Sequence, residues 1–192
     1  MPRPKRIWIP GATYHITARG NRKSNLFRDK KDYQHYMELL QKALQRYPSD
    51  LHAYCLMPNH LHLILGTINH TPTDLIHYLH SVYARYFNHR YDYVGHLFQG
   101  RFYSKQIRNH KQLLDTSAYI HLNPVKANYT KLPEDYLWSS YGAFLAPSKS
   151  TIIHTDKILS LLGEDPHHKY QLFVETRRKI NEWNLIKHLD TF

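Results

Sequence analysis

The sequence predicts an α+β fold: a mainly antiparallel sheet with helices packed on one face. Three observations predict it. Short segments rich in β-formers alternate apolar and polar residues with period two. Between them run segments whose apolar residues recur at helical spacing. The two kinds follow one another as strand, helix, strand, strand, helix, strand, helix, which is the split β-α-β order of ferredoxin-like sheets.

Each element has a local reason. "ATYHITARGN" (12–21) alternates and then breaks at Gly20-Asn21, giving a strand over about 12–19. In "RDKKDYQHYMELLQKALQRYP", Tyr33, Tyr36, Met37, Leu40 and Leu44 share one helical face. Asp29 is placed to cap that helix and Pro48 limits its far end. "LHAYCLMPNHLHLILG" reads as a hairpin around a tight turn at Met57-Pro58-Asn59, with His60 opening the second strand. "TPTDLIHYLHSVYARYFNHRY" repeats Leu75, Tyr78, Leu79, Val82, Tyr83 and Tyr86 at helical spacing, with Thr73 or Asp74 as its cap. After Gly95 and Gly100 comes a short alternating strand over 101–108. "KQLLDTSAYIHLNPVKA" reads as helical up to Pro124, and "LWSSYGAFL" as a short helix or an irregular packed segment. The tail carries two more helical patterns, near 155–162 and 166–187. The polar stretch "APSKST" (146–151) divides a main domain, 1–145, from a helical extension, 146–192.

Composition narrows the partners. The chain has 192 residues, 42% of them apolar, enough for a real core. Lys and Arg number 26 against 15 Asp and Glu, a net charge of +11 that favours a polyanion, nucleic acid first. Sixteen tyrosines supply rings that stack on unpaired bases or pack ordinary cores. A single cysteine, Cys55, excludes a disulfide framework and a Cys-based zinc site. No apolar run reaches membrane-span length, and the basic start "MPRPKRIWIPG" lacks a signal peptide's apolar core, so the expectation is a cytoplasmic protein.

The stretch "NHLHLIL" (59–65) carries the chemistry. On a strand His60 and His62 project side by side, while Leu61 and Leu63 point the other way into a core. Neutral imidazole is a common metal ligand, and two on one face supply two ligands of a divalent ion that a carboxylate, amide or water can complete. A lone His-x-His is more often a polar sheet edge than a metal site; the interleaved leucines favour the metal by fixing both rings to one face. The spacing does not fit H-E-x-x-H, and there is no Gly-rich phosphate loop and no G-x-S-x-G elbow. A basic protein with such a pair suits phosphodiester chemistry, where tyrosine can serve as a covalent nucleophile. Chemistry alone does not choose among sixteen tyrosines.

"YCLMPNHLHLIL" (54–65) resembles the His-hydrophobic-His motif of the HUH single-strand DNA transposases, and more closely the REP-associated tyrosine transposases among the single-tyrosine insertion-sequence enzymes. "YHITARGN" (14–21), "LFRDKKDYQHYMELL" (26–40), "YARYFNHRY" (83–91), "GHLFQGRFYSKQI" (95–107), "AYIHLNPVKA" (118–127) and "WSSY" (138–141) agree with that family in order and spacing. The resemblance implies the HUH endonuclease fold. It also implies a tyrosine, here Tyr119, that attacks a phosphodiester in single-stranded DNA and keeps the 5′-phosphate as a covalent phosphotyrosine. His60 and His62 are then the ligands of Mg²⁺ or Mn²⁺, with Asn123, four residues after the tyrosine, as a third. The partner implied is single-stranded or hairpin DNA. The helical extension favours a monomer over a homodimer that exchanges the tyrosine helix.

Arg19, Arg22 and Lys23 follow the first strand; Arg101, Lys105 and Arg108 lie on or beside the last; Arg3, Lys5 and Arg6 form an N-terminal arm. Each is a candidate phosphate contact or a solvated surface charge. The basic stretch "TRRKINEW" (176–183) is open to the same two readings. Two alternatives to the strand-transfer enzyme stand beside it. One is a domesticated regulator that binds structured DNA without turnover. The other is a hydrolase that uses metal-activated water.

Overall fold

The computed structural model describes residues 8–146 and 152–180. Four strands form one sheet: β1 (Thr13–Arg19), β2 (Ser49–Met57), β3 (His60–Thr67) and β4 (Tyr103–Ile107). Their order is β2-β3-β1-β4, with every neighbouring pair antiparallel. Helix α1 (Lys30–Arg46) links β1 to β2, and α2 (Pro72–Tyr91) links β3 to β4. Helix α3 (His110–Lys126) follows the last strand. Short α4 (Gly142–Leu145) and α5 (Asp156–Leu159) lead to α6 (Pro166–Ile180). This is the expected ferredoxin-like arrangement. Among the described residues no helix is long and apolar enough to cross a membrane.

Helices cover both faces of the sheet, not one. Ile16, Ala18, Leu61, Leu63 and Leu65 pack against Tyr36 and Leu40 of α1 and Leu79 and Tyr83 of α2. The opposite face buries Ile64 and Cys55 against Ala118 and Leu122 of α3, with Phe144, Ile158, Tyr170 and Val174 from the later helices in the same cluster. The reason lies in α3, where every residue from Thr116 to Pro124 is buried. A helix buried around its whole circumference needs cover on two sides, and the sheet with the C-terminal helices supplies it. A β-bulge between Leu51 and Ala53 lets β2 feed both cores, Leu51 into the first and Ala53 into the second.

Two boundaries differ from the sequence reading. Asp29 caps α1 as expected, accepting from the Asp32 amide at 3.2 Å. The cap of α2, however, is Thr71, with Asp74 closing a capping box and Pro72 in the first turn. Proline is preorganised for that position, so the helix starts earlier than Thr73. Helix α3 runs through Pro124 to Lys126: Pro124 has no N–H to give to the Ile120 carbonyl, but the turn closes beyond it, where the Ala127 amide reaches the Asn123 carbonyl at 3.0 Å. The "LWSSYGAFL" segment covers the edge of β2: the Leu56 amide donates to Trp138 O and the Ser140 amide to Tyr54 O before α4 begins. The N-terminal arm with Arg3, Lys5 and Arg6, most of "APSKST" and the tail beyond 180 lie outside the described residues.

Buried polar bonds tie the layers. The Asp32 carboxylate, fully enclosed, accepts from Arg90, Tyr86 and Tyr91, which fixes α1 to α2. On the other face His121 of α3, 0% exposed, has Nδ1 2.8 Å from the Tyr170 hydroxyl of α6 and Nε2 2.9 Å from the Ser140 hydroxyl. Burial pushes the His121 pKa down from 6.5 to about 3. The folded state therefore refuses a proton that the unfolded chain takes up below 6.5. This contribution to stability is intact above pH 6.5 and is lost as pH falls toward the folded value, by about 1.4 kcal/mol per pH unit. Thermal unfolding of His121→Gln is expected to show a lower midpoint at pH 7 and a shallower loss between pH 6.5 and 5 than the parent, a difference worth roughly 2 kcal/mol over that interval. Parallel curves would show that His121 does not resist protonation.

Candidate functional site

The site begins with the pairing of β1 and β3. Their register sets Thr17 opposite His62 and Arg19 opposite His60. Directly opposed residues share a face, so these four side chains stand together. His60 and His62 project side by side as expected, with ring centroids 5.0 Å apart and planes at 87°. Leu61 and Leu63 are buried in the opposite core.

Helix α3 lays Asn123 across the pair. Asn123 Oδ1 lies 3.2 Å from His60 Nε2 and Asn123 Nδ2 lies 3.3 Å from His62 Nε2. The outer nitrogens are also engaged. His60 Nδ1 is 2.7 Å from Asn59 Oδ1, and His62 Nδ1 is 3.0 Å from His15 Nε2, with Thr17 Oγ1 at 3.5 Å. Tautomers assigned from these contacts put the protons on both Nδ1 atoms, which donate outward, and leave both Nε2 lone pairs facing Asn123. The amide then donates to His62, while its oxygen meets a lone pair at His60. In the other His60 tautomer the ring Nε2–H donates to that oxygen instead. Two imidazole nitrogens and an amide oxygen suit a divalent ion that completes its shell with water and phosphate oxygen. Among the described residues no three His, Cys, Asp or Glu side chains gather to hold a metal.

Burial keeps His62 and its neighbour His15 in the neutral form. His62 is 1% exposed, and burial, then the positive potential of His60, His15 and Lys126, hold its pKa well below 6.5. His15 is lowered to about 4 by burial and by Lys105. Both rings are neutral near pH 7, the form that binds metal.

Tyr119 stands one turn before Asn123 on α3, 2% exposed. Its ring meets His62 edge-on at 5.6 Å between centroids and His15 at 6.4 Å, and Lys126 Nζ sits 5.5 Å from the ring centre. Tyr119, Asn123, the two histidines, Arg19 and Lys126 line one cavity of about 390 Å³. Arg19 Nε is buried with no hydrogen-bond partner, a donor that an entering anion satisfies.

Of the other basic residues singled out in the sequence, Lys105 opposes His15 on β4. Arg22 and Lys23 are exposed in a short 3-10 turn after β1, and Arg101 and Arg108 are exposed at the two ends of the β4 segment. None of these five lines the cavity. Sequence reasoning missed His15 and Lys126. Lys126 lies three residues after Asn123 and seven after Tyr119, a helical spacing that could have found it. His15 lies on the neighbouring strand, and only the register brings it to His62.

Comparison with known proteins is specific. The family model described as IS200-like transposase matches residues 9–123. A REP-associated tyrosine transposase of Escherichia coli (strain K12) is 28% identical over 142 residues, covering 73% of this chain and 83% of that protein. The solved structure of a REP-associated tyrosine transposase bound to a REP hairpin superposes with a TM-score of 0.67 at 23% identity, over 82% of this chain and 93% of the other, a likeness of fold.

His15 offers a test of the site's outer partners. Replacing it by leucine keeps bulk and removes the acceptor for the His62 Nδ1–H. Titration calorimetry with Mn²⁺ is expected to give an affinity about 10–100-fold weaker for His15→Leu than for the parent, with circular dichroism unchanged. Equal affinities would show that His62 needs no such orientation.

Proposed function

The chain belongs to the IS200-like transposase family, and from that premise we propose that it is a metal-dependent endonuclease and strand transferase for single-stranded DNA, with Tyr119 as its nucleophile. The observation that carries this reading is the convergence of both imidazole Nε2 atoms on the Asn123 amide, one helical turn from a tyrosine lining the same cavity. His60, His62 and Asn123 are the residues that would hold Mg²⁺ or Mn²⁺. That ion supplies Lewis-acid polarisation of a phosphoryl oxygen.

The remaining steps belong to the protein's own groups. Arg19 and Lys126 receive the scissile phosphate in a partly enclosed, positive cleft. A free phenol has a pKa near 10, so Tyr119 gains from cationic neighbours that favour its phenolate; Lys126 is beside it. The Tyr119 Oη–P bond forms as the P–O3′ bond breaks. The phenolic proton passes to solvent, and the departing 3′-oxygen takes one up as a hydroxyl. The 5′-phosphate stays on the tyrosine. Because the phosphotyrosine keeps the bond energy, a 3′-hydroxyl can attack it and restore a phosphodiester, which gives strand transfer without an external energy source.

Hairpin DNA is the partner this reading favours, since the fold relative was solved with a hairpin. Residues 1–145 would form the catalytic domain and 146–192 an extension that supports it. The bonds from Tyr170 to His121 and Ser117 hold α3 within one chain and favour a monomer that uses its own tyrosine.

Two measurements test this. Incubation with single-stranded hairpin oligonucleotides and Mn²⁺ or Mg²⁺ is expected to give a protein–DNA adduct that survives denaturation. The adduct should vanish in Tyr119→Phe and on chelation, and its rate should fall at least about 100-fold in His62→Ala. An adduct that persists in Tyr119→Phe moves the nucleophile elsewhere, and cleavage with no adduct points to water. Separately, Arg19→Ala and Lys126→Ala should each weaken binding and flatten the slope of log K against log salt by about 0.7. An unchanged slope would take the phosphate away from these residues.

A further inference from the structure

The two histidines of the cleft are held differently. His62 is 1% exposed, and its ring lies among those of His15 and Tyr119. His60 is half-buried at the first position of β3, where the strand leaves the hairpin turn, so packing encloses its ring less. Its other constraint is a neighbour in sequence: Asn59 Oδ1 lies 2.7 Å from His60 Nδ1.

The turn that carries Asn59 is fastened at its backbone. The Asn59 carbonyl accepts from the Gly20 amide at 2.8 Å, and the Pro58 carbonyl accepts from the Leu26 and Phe27 amides at 2.7 and 3.1 Å. These bonds come from the segment behind β1, so the turn cannot pivot without moving that segment. An asparagine in a turn commonly bonds the backbone two residues on or takes up the left-handed conformation. Here the side-chain oxygen reaches an imidazole instead, and the Asn59 backbone lies outside the left-handed region. The ring, and not the turn, accounts for asparagine at this position.

We propose that Asn59 is a positioning residue: by accepting from His60 Nδ1–H it fixes the tautomer and direction of that ring, so that the Nε2 lone pair is presented to the divalent ion. The inference rests on the metal-dependent function proposed above. His60 has two neutral tautomers. With the proton on Nδ1, the ring bonds Asn59 and offers Nε2 to a cation. With the proton on Nε2, the ring donates to Asn123 Oδ1 at 3.2 Å and has no lone pair left for metal on that side. An oxygen 2.7 Å from Nδ1 stabilises the first form and would face a lone pair in the second. An amide does this without charge. A carboxylate in its place would orient the ring equally but would add a negative charge beside a cleft where Arg19 and Lys126 await a phosphate.

The test uses the full chain at about pH 8, above the ordinary imidazole range, with Mn²⁺ as the probe. Titration calorimetry is expected to give Asn59→Ala an affinity about tenfold weaker than the parent. Asn59→Asp keeps an acceptor oxygen and cannot donate, and it should match or exceed the parent. Long-range proton–nitrogen correlation spectra of the imidazoles in metal-free protein give a second readout. The His60 proton is expected on Nδ1 in the parent and in Asn59→Asp, and on Nε2 in Asn59→Ala. Unfolding midpoints show whether the variants are folded. If the alanine variant is not, Asn59→Gln replaces it, because its amide oxygen sits one methylene further out, and it should lose affinity by about the same factor. Affinity equal to the parent, a loss in Asn59→Asp as large as in alanine, or weakened binding with the His60 proton still on Nδ1 would each overturn the role of Asn59 and leave the proposed function standing. A parent protein that binds no Mn²⁺ overturns both.

Discussion

The antiparallel register of β1 against β3 sets the geometry of the tyrosine cleft. Thr17 opposes His62 and Arg19 opposes His60, while Ile16 opposes Leu63 and Ala18 opposes Leu61. A slip of one residue on either strand would exchange its apolar core face for the face that carries its histidines. The slip would bury imidazoles under α1 and α2 and expose leucines to the cleft. Apolar burial that holds the sheet to its helices therefore also holds two ring nitrogens to a common point. Stability and chemistry are read from the same alternation.

Helix α3 is the second half of the device, and its position is over-determined. Residues Thr116 to Pro124 are all buried, between the sheet and the C-terminal helices. Tyr170 accepts or donates at two points on α3, His121 and Ser117, which flank the tyrosine in sequence. Placing neutral His15, His62 and His121 away from water costs free energy; each ring in turn gains a partner, although His15 Nδ1 has none. Such costs are borne by the surrounding apolar packing and are typical of sites that must be rigid before their ligand arrives.

Much of this was legible in the sequence because periodicity speaks directly about faces. The alternation in "HLHLIL" separates histidines from leucines without any structure, and Asp29 before a helical run is a local signal that local physics honours. What escaped was set by contacts distant in sequence. Helices on both sheet faces follow from the complete burial of α3, which a window on that helix alone does not reveal. His15 became a partner of His62 only through pairing of strands 47 residues apart. Pro124 reads as a helix stop in the sequence, whereas α3 continues past it to Lys126, itself a cleft residue. The cap at Thr71 was masked by Pro72, which belongs to the helix and not to the turn before it.

The end of β1 shows how tightly the tyrosine cleft can be coupled through one backbone to a second cavity, about 860 Å³ between α2 and the segment 95–102, with the rings of Trp8, Phe98 and Phe102 in its wall. Gly20 sits between Arg19 in one cavity and Asn21 in the other, and pairs with Phe98 of the aromatic wall. Its φ of −64° suits any residue, so the demand for glycine is spatial. A Cβ there would collide with the carbonyl oxygen of Ser24, whose amide closes the 3-10 turn onto Asn21. A backbone carbonyl cannot rotate away as a side chain would, so relief requires the turn to move. That turn carries Asn21, and its amide is bonded to the wall at Leu97. Any side chain at Gly20 must therefore displace the rim of both cavities together, while leaving His60, His62 and Tyr119 on elements held by their own cores.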